Sequence, residues 1–339
     1  MQIAQGVSLK YYNTFGIDVQ AKDFASFASL QDLEEIVSSE YFFQNKSMIL
    51  GGGSNLLFTK DFDGLVIKND LKGIELIKED DTYYYVKAWG GEVWHQFVLY
   101  CLANNFAGVE NLSLIPGCVG ASPMQNIGAY GIEIKDIFHE LEAYHLYEKS
   151  IHRFTLSDCA FGYRESVFKN KLKDKFVILN VTYRLRKTPV FNTSYGAITQ
   201  ELEKMRVEQL TIQAISQAVI NIRTSKLPDP KQIGNAGSFF KNPVIEKEKY
   251  ESLAVMYPSI VGYPVHNETT IKLAAGWLIE QCGWKGYRKG DAGVHSKQAL
   301  VLVNYGNAKG TEIFDLSCDI IESVDKKFGV KLDREVNIV

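Results

Sequence analysis

Apolar residues recur at helical spacing in some stretches of this chain and alternate with period two in others. From Ser29, Leu30, Leu33, Ile36 and Val37 fall on one face, and Ser29 with Asp32 forms a capping box that predicts where the helix starts. A second helix is predicted from about Glu92, with Val93, Trp94, Phe97, Val98, Cys101 and Leu102 on one side. A third runs from about Thr211 through Ile212, Ile215, Val219 and Ile222, and a fourth contains KLAAGWLIEQ. The last, 311–328, carries Ile313, Leu316, Ile320, Ile321, Val324 and Phe328 in amphipathic order. Between them lie strand patterns rich in β-branched and aromatic residues. These are SMIL (47–50), GLVIKN (64–69), GIELIK (73–78), TYYYVKAW (82–89), LEAYHLY (141–147), SIHRFTL and KFVILNVTYRLRK (175–187). The closing VKLDREVNIV reads as a strand with Val330, Leu332, Val336 and Ile338 on one face and Asp333, Glu335 and Asn337 on the other.

The stretches outside these patterns hold the chemistry. LIPGCVGASPMQNIGAYG (114–131) contains four glycines and two prolines, so it cannot be a regular helix, and it is too apolar for a solvated linker. Two readings remain: a buried connection between strands, or backbone held close to a flat or anionic ligand with its N–H groups free to donate. SMIL runs directly into GGGSN (51–55), which is either a phosphate cradle or a structural corner. GNAGSFFKNP (234–243) sets Ser238, Lys241 and Asn242 beside two phenylalanines. It suits a pocket for a polar ligand, and equally a tight turn entering a strand. FGYRES (161–166) is a turn presenting Tyr163 and Arg164, and His295 with Gln298 precedes a buried strand. No G-x-G-x-x-G opens a helix and no Walker A motif occurs, so a dinucleotide would need another architecture.

Composition changes this picture little. At 339 residues the chain is expected to form two or three domains, and the two prolines of SKLPDPK (225–231) mark a boundary. Apolar residues at 46% and charged residues at 23% are ordinary for a globular protein, and a net charge of −3 argues against a nucleic-acid binder. The N-terminal residues do not read as a signal peptide, and no run reaches the roughly 18 apolar residues of a membrane helix. Five scattered cysteines give neither a disulfide framework nor a metal site, which suits a reducing cytoplasm.

In order, GGGSNLLF, GVENLSLIPGCVGASPMQNIGAYG, CAFGYRESVF, SKLPDPKQIGNAGSFFKNP, KLAAGWLIEQ and HSKQALVLVN resemble the UDP-N-acetylenolpyruvoylglucosamine reductase family, from about Asn13 to Glu335. The resemblance implies an α+β fold with an FAD-binding region of the vanillyl-alcohol-oxidase type. That region would span 1–224, in subdomains of about 1–68 and 69–224. A substrate domain at 225–330 and a final strand, 331–339, carrying Glu335 would follow. It implies a cytoplasmic, monomeric enzyme acting on a small nucleotide sugar, with no nucleic-acid or membrane partner. The expected cofactor is non-covalent FAD, with NADPH as co-substrate, and no metal.

The implied reaction belongs to peptidoglycan precursor synthesis. NADPH reduces FAD, and the enolpyruvyl ether of UDP-N-acetylglucosamine is then reduced to UDP-N-acetylmuramate. By motif match, Gly51, Gly52, Gly53, Ser54, Asn55 and Leu56 would cradle the FAD pyrophosphate. Ile115, Pro116, Gly117, Gly120, Ala121, Ser122, Gln125, Asn126 and Gly128 would line the flavin. Ser238 would be the proton donor, while Arg164 and Glu335 would hold and polarise the substrate carboxylate. Glu335 would act protonated, since two facing carboxylates repel. Tyr195, Lys226, Asn242, Tyr263 and Gln298 would contact the nucleotide sugar, Tyr263 from a loop that marks one subtype. One departure stands out: Asn337 lies two residues after Glu335, where family members often carry arginine. A sugar or alcohol oxidase on the same fold is the nearest rival, and a non-catalytic flavin module a more distant one. Cys118 is the only His or Cys in the flavin stretch that could tether a flavin covalently.

Overall fold

The structure, a computed structural model, describes residues 3–194, 197–265 and 269–339. Its contacts divide the chain into two compact units. One comprises the chain up to Val7, Ala21–Gly53 and Asp63–Ser225; the other comprises Ser8–Gln20, Ser54–Phe62 and Lys226–Val339. The sequence expectation treated 1–224 as one uninterrupted region. In the structure two N-terminal segments are instead assigned to the unit that holds the C-terminal third.

The first unit holds two sheets. Strands Ala4–Ser8, Gln20–Phe27, Phe62–Asn69 and Ser47–Leu50 form one, in that order, with the last two parallel and Ile49 opposite Ile67. Helix Leu30–Ser38 buries Leu33, Ile36 and Val37 in the same core as Phe27, Leu65 and Ile67. Its start is fixed as the sequence predicts: the Asp32 N–H donates to Ser29 Oγ (3.1 Å) and the Ser29 N–H to Asp32 Oδ2 (2.9 Å). The second sheet is antiparallel, ordered Ser150–Thr155, Phe138–His145, Phe176–Arg186, Tyr83–Trp89, Ile74–Glu79. Its central strand is buried on both faces until Arg184 and Arg186 emerge. Helix Trp94–Ala103 packs against it, with the Phe97 ring 4.7 Å and the Trp94 ring 5.7 Å from Tyr183. This helix begins later than Glu92: Val93, expected on the apolar side, is its extended N-cap, bridges Cys118 through backbone and is exposed.

In the second unit Gly234–Asn235, Leu302–Asn304, Ala292–Val294 and Arg288–Lys289 form one sheet, and Val244–Glu246, Thr270–Leu273 and Gly262–Pro264 another. Helix Gly310–Phe328 buries Ile313, Ile320 and Val324 completely and ends at Gly329 in the left-handed conformation (φ 62°). The N-terminal segments are built into this unit. Asn304 Nδ2 donates to the Phe15 carbonyl (2.9 Å), the Asn235 N–H donates to the Thr14 carbonyl (3.0 Å), and a Cβ on Gly310 would fall 1.6 Å from the Phe58 carbonyl oxygen. The final strand is shorter than its alternation suggests. Only Asn337–Ile338 is strand, paired parallel with Leu56–Leu57; Val330, Leu332 and Val336 are buried as expected, whereas Ile338 is exposed. Among the described residues no helix is long and apolar enough to cross a membrane.

Candidate active site

In the first unit the two glycine-rich stretches meet through backbone. A Cβ on Gly52 would lie 2.9 Å from Gly117 Cα, and one on Gly51 would lie 3.8 Å from Cys118 Cβ. The backbone of the 114–131 stretch is then strapped to residues 90–94. Trp94 N–H donates to the Gly117 carbonyl (2.9 Å), Val119 N–H to Glu92 (2.8 Å) and Gly120 N–H to Gly90 (2.9 Å). These bonds hold a short 3₁₀ turn, Val119–Ala121, whose backbone stays close to a cavity of about 450 Å³. Gly51, Gly90, Gly120, Ala121 and Met124 line that cavity together with Met48, Ile49 and Ile178. Phe42, Phe43, Tyr147 and Phe176 also line it, as do the polar Asn45, Lys46 and Asp174. Glycine backbone together with apolar and aromatic side chains around one cavity suits an FAD: anionic phosphates take backbone N–H groups, and a flat ring takes apolar surface. Sequence reasoning did not single out Gly90 or the aromatic residues of this lining. The Gly90–Gly91 pair after a strand and the Phe42–Phe43 pair were the available signals.

The rest of the 114–131 stretch is pinned by side chains. Leu114 opens it in the left-handed region (φ 59°), a strained place for leucine, and its N–H donates to His95 Nδ1 (3.0 Å). An imidazole nitrogen that accepts must be unprotonated. Burial, then the Arg223 charge, push the His95 pKa down, which favours that state. Ile115 packs against the main core and Pro116 is exposed. Ser122 Oγ and Tyr183 OH share a buried hydrogen bond of 2.7 Å. Asn126, fully buried, donates through Nδ2 to Glu133 Oε2 and to the Gly162 carbonyl (both 3.0 Å), so it ties the stretch to the turn carrying Arg164. Gln125 precedes it, half-buried. Arg164 is itself left-handed (φ 57°), stacks over Tyr163 at 5.3 Å and donates from Nη2 to the Gly128 carbonyl (2.8 Å). Cys118 is buried, and burial pushes its thiol pKa up, away from the nucleophilic thiolate.

The second unit gathers another group. Phe239 N–H donates to the Leu300 carbonyl (2.7 Å), and the Phe239 carbonyl accepts from Glu335 N–H (2.8 Å). Ser238, half-buried, therefore stands on a segment laced between the 298–300 loop and the Glu335 backbone. Both phenylalanines of the motif are buried, Phe239 at 0% exposure and Phe240 at 1%, while the serine is not; core packing and site coexist in one segment. Asn242 Oδ1 accepts from Ala275 N–H (3.0 Å), and Gln298 Oε1 lies 3.3 Å from the Cβ position of Gly276, so both amides meet at the start of helix Ala275–Gln281. Ser54, Asn55 and Leu56 belong to this unit, and Asn55 Nδ2 donates to the Glu335 carbonyl (3.3 Å). Lys226 is the exposed last residue of helix Ile212–Lys226, and Tyr263 is 49% exposed on an edge strand. Neither takes part in that lacing. Tyr195 lies outside the described residues. Among the described residues no cluster of His, Cys, Asp or Glu could hold a metal ion.

Comparison with known proteins fixes the class first. Residues 23–147 match the FAD binding domain family, and 6-hydroxy-D-nicotine oxidase from Arthrobacter nicotinovorans shares the fold (TM-score 0.53, 11% identity, 97% of this chain and 86% of that one). The chain is a flavin-binding oxidoreductase with a vanillyl-alcohol-oxidase-type FAD-binding region and a further α+β domain. Residues 229–339 match the UDP-N-acetylenolpyruvoylglucosamine reductase C-terminal domain. The UDP-N-acetylenolpyruvoylglucosamine reductases of Flavobacterium johnsoniae and Amoebophilus asiaticus are 52% and 48% identical to it, each alignment covering 100% of both chains. The crystal structure of the Thermus caldophilus reductase has the same fold (TM-score 0.70, 21% identity, 100% and 99% covered). The chain belongs to the UDP-N-acetylenolpyruvoylglucosamine reductase family.

Proposed function

We propose that the chain reduces the enolpyruvyl ether of UDP-N-acetylglucosamine to the lactyl ether of UDP-N-acetylmuramate at the expense of NADPH. When bound, FAD supplies a two-electron carrier between the two substrates. Reduction requires a hydrogen with its electron pair at the terminal enolpyruvyl carbon and a proton at the neighbouring carbon. In between, charge collects on the carboxylate as an aci-enolate, so a cation or donor aimed there stabilises the transition state selectively. Arg164 and a protonated Glu335 take that role. Ser238 gives the proton, because an aci-enolate carbon is basic enough to take it from a hydroxyl, and water or a neighbour restores it. Lys226 and Tyr263 serve the diphosphate, and Tyr195, Asn242 and Gln298 the rest of the nucleotide sugar. FAD stays non-covalent, which the raised Cys118 pKa favours.

The observation that carries this reading is the Ser238 segment, held between Leu300 and Glu335 by two backbone hydrogen bonds with its hydroxyl-bearing residue left half-buried. The test is anaerobic. The purified holoprotein is reduced with NADPH, the enolpyruvyl nucleotide sugar is added, and flavin absorbance is followed. Rapid return of the oxidised spectrum with a lactyl product by mass spectrometry is expected. Reoxidation by oxygen alone would make the chain an oxidase instead.

A further inference from the structure

The backbone around Glu335 is held on every side, and one of the holding groups belongs to a residue without a role so far. Upstream, Arg334 Nε donates to Ser317 Oγ (2.8 Å) and its guanidinium stacks on Phe314 at 4.6 Å, which anchors it to helix Gly310–Phe328. The Glu335 N–H donates to Phe239 and its carbonyl accepts from Asn55 Nδ2. The Asn55 carbonyl in turn accepts twice from Asn337: from the backbone N–H (3.1 Å) and from the side-chain Nδ2 (3.0 Å). Beyond it, Val339 N–H donates to Leu57 and Thr59 N–H to Val339 (2.9 and 2.8 Å).

We propose that Asn337 is a positioning residue: its amide closes a clasp with Asn55 that fixes the Glu335 peptide and thereby aims the Glu335 side chain. The inference rests on the role given to Glu335 above. The clasp is a ring of three residues. Asn55 holds the Glu335 carbonyl, and Asn337 holds Asn55. Asn337 itself is exposed, so its side chain buries no apolar surface there. Its double donation to one oxygen is what ties the residue after Val336 to Asn55, and removing Nδ2 leaves that link on a single backbone bond. A carboxyl group that must meet a developing charge tolerates little displacement, since an error of about 1 Å can cost on the order of a hundredfold in rate.

The test uses the Asn337→Ala and Asn337→Gln holoproteins, with two readouts. In the first, the half-reactions are timed separately. Asn337→Ala is expected to slow flavin reoxidation by the enolpyruvyl substrate about tenfold at saturation, with reduction by NADPH unchanged and KM for the nucleotide sugar within about threefold. Asn337→Gln keeps an amide donor and recovers most of that loss. A purely structural role would lower thermal stability and leave this split between half-reactions absent. In the second, hydrogen exchange across residues 333–339 is expected to quicken in Asn337→Ala. Reoxidation within twofold of wild type overturns the proposal. Should the wild-type protein itself fail to be reoxidised by this substrate, the functional reading has failed instead; exchange then decides on the clasp alone, and unchanged protection overturns it.

Discussion

Ser238 and His95 show two ways in which single side chains tune this molecule. Ser238→Ala removes a hydroxyl from a half-buried position while Phe239 and Phe240 keep the segment packed, so the fold and the bound flavin should survive. The expected outcome is unchanged reduction by NADPH and loss of reoxidation by substrate of at least a hundredfold, in line with removal of a positioned general acid. Stopped-flow absorbance checks it, and wild-type reoxidation would take Ser238 out of the chemistry. His95 and His295 both have pKa values pushed down by burial, reinforced by Arg223 and Lys297 respectively. The folded state then binds fewer protons than the unfolded chain below the unfolded histidine pKa of about 6.5. Their contribution to stability is complete above that pH and is lost progressively as the pH falls from there towards their lower folded values. Melting temperature should therefore drop between about pH 7 and pH 5.5, and less steeply in His95→Asn, whose Oδ1 still accepts from Leu114. An equal slope in that variant would show that His95 does not titrate as described. At this scale much was legible: the capping pair Ser29 with Asp32 and the buried face of helix Gly310–Phe328. The left-handed backbones of Leu114 and Arg164 were not, because such residues reach those angles only through tertiary bonds, to His95 and across the Asn126 tie.

Among the elements, the strand Ser47–Leu50 and the turn after it depend on an approach that no side chain allows. Gly52→Ala would press a methyl group against Gly117 backbone at 2.9 Å, and backbone cannot rotate away. Overpacking of this kind costs about 1–3 kcal/mol, which corresponds to a fall of roughly 2–12 °C in Tm for a domain of this size. Gly51→Ala meets only Cys118 Cβ at 3.8 Å and should leave the apoprotein melting within a degree or so. Calorimetry on the flavin-free forms separates the two; similar melting would mean that the glycine contact yields easily. Sequence showed both glycine stretches but could not show that they face each other, since 64 residues lie between Gly52 and Gly117. The final strand misled in a different way. Its alternation is real, but residues 333–335 spend their backbone groups on Phe239, Phe240 and Lys241 rather than on a regular ladder.

Each of the two units is discontinuous in sequence. Ser8–Gln20 and Ser54–Phe62 belong with Lys226–Val339, so an isolated 226–339 fragment would lack Phe15 and Phe58, both fully buried. Such a fragment should show no cooperative thermal transition; a sharp one would mean that the two segments are dispensable. The family match that begins at residue 229 gives no hint of this dependence, because it follows the chain and not the contacts. The same threading sets an order of events on the ribosome. Asn55 emerges early, but Glu335, its hydrogen-bond partner, lies 280 residues later. At about 5–20 residues per second that is a delay of roughly 14–56 s. Throughout it, two nascent segments with buried-type phenylalanines wait without the surface that covers them, which makes them natural targets for a chaperone during synthesis.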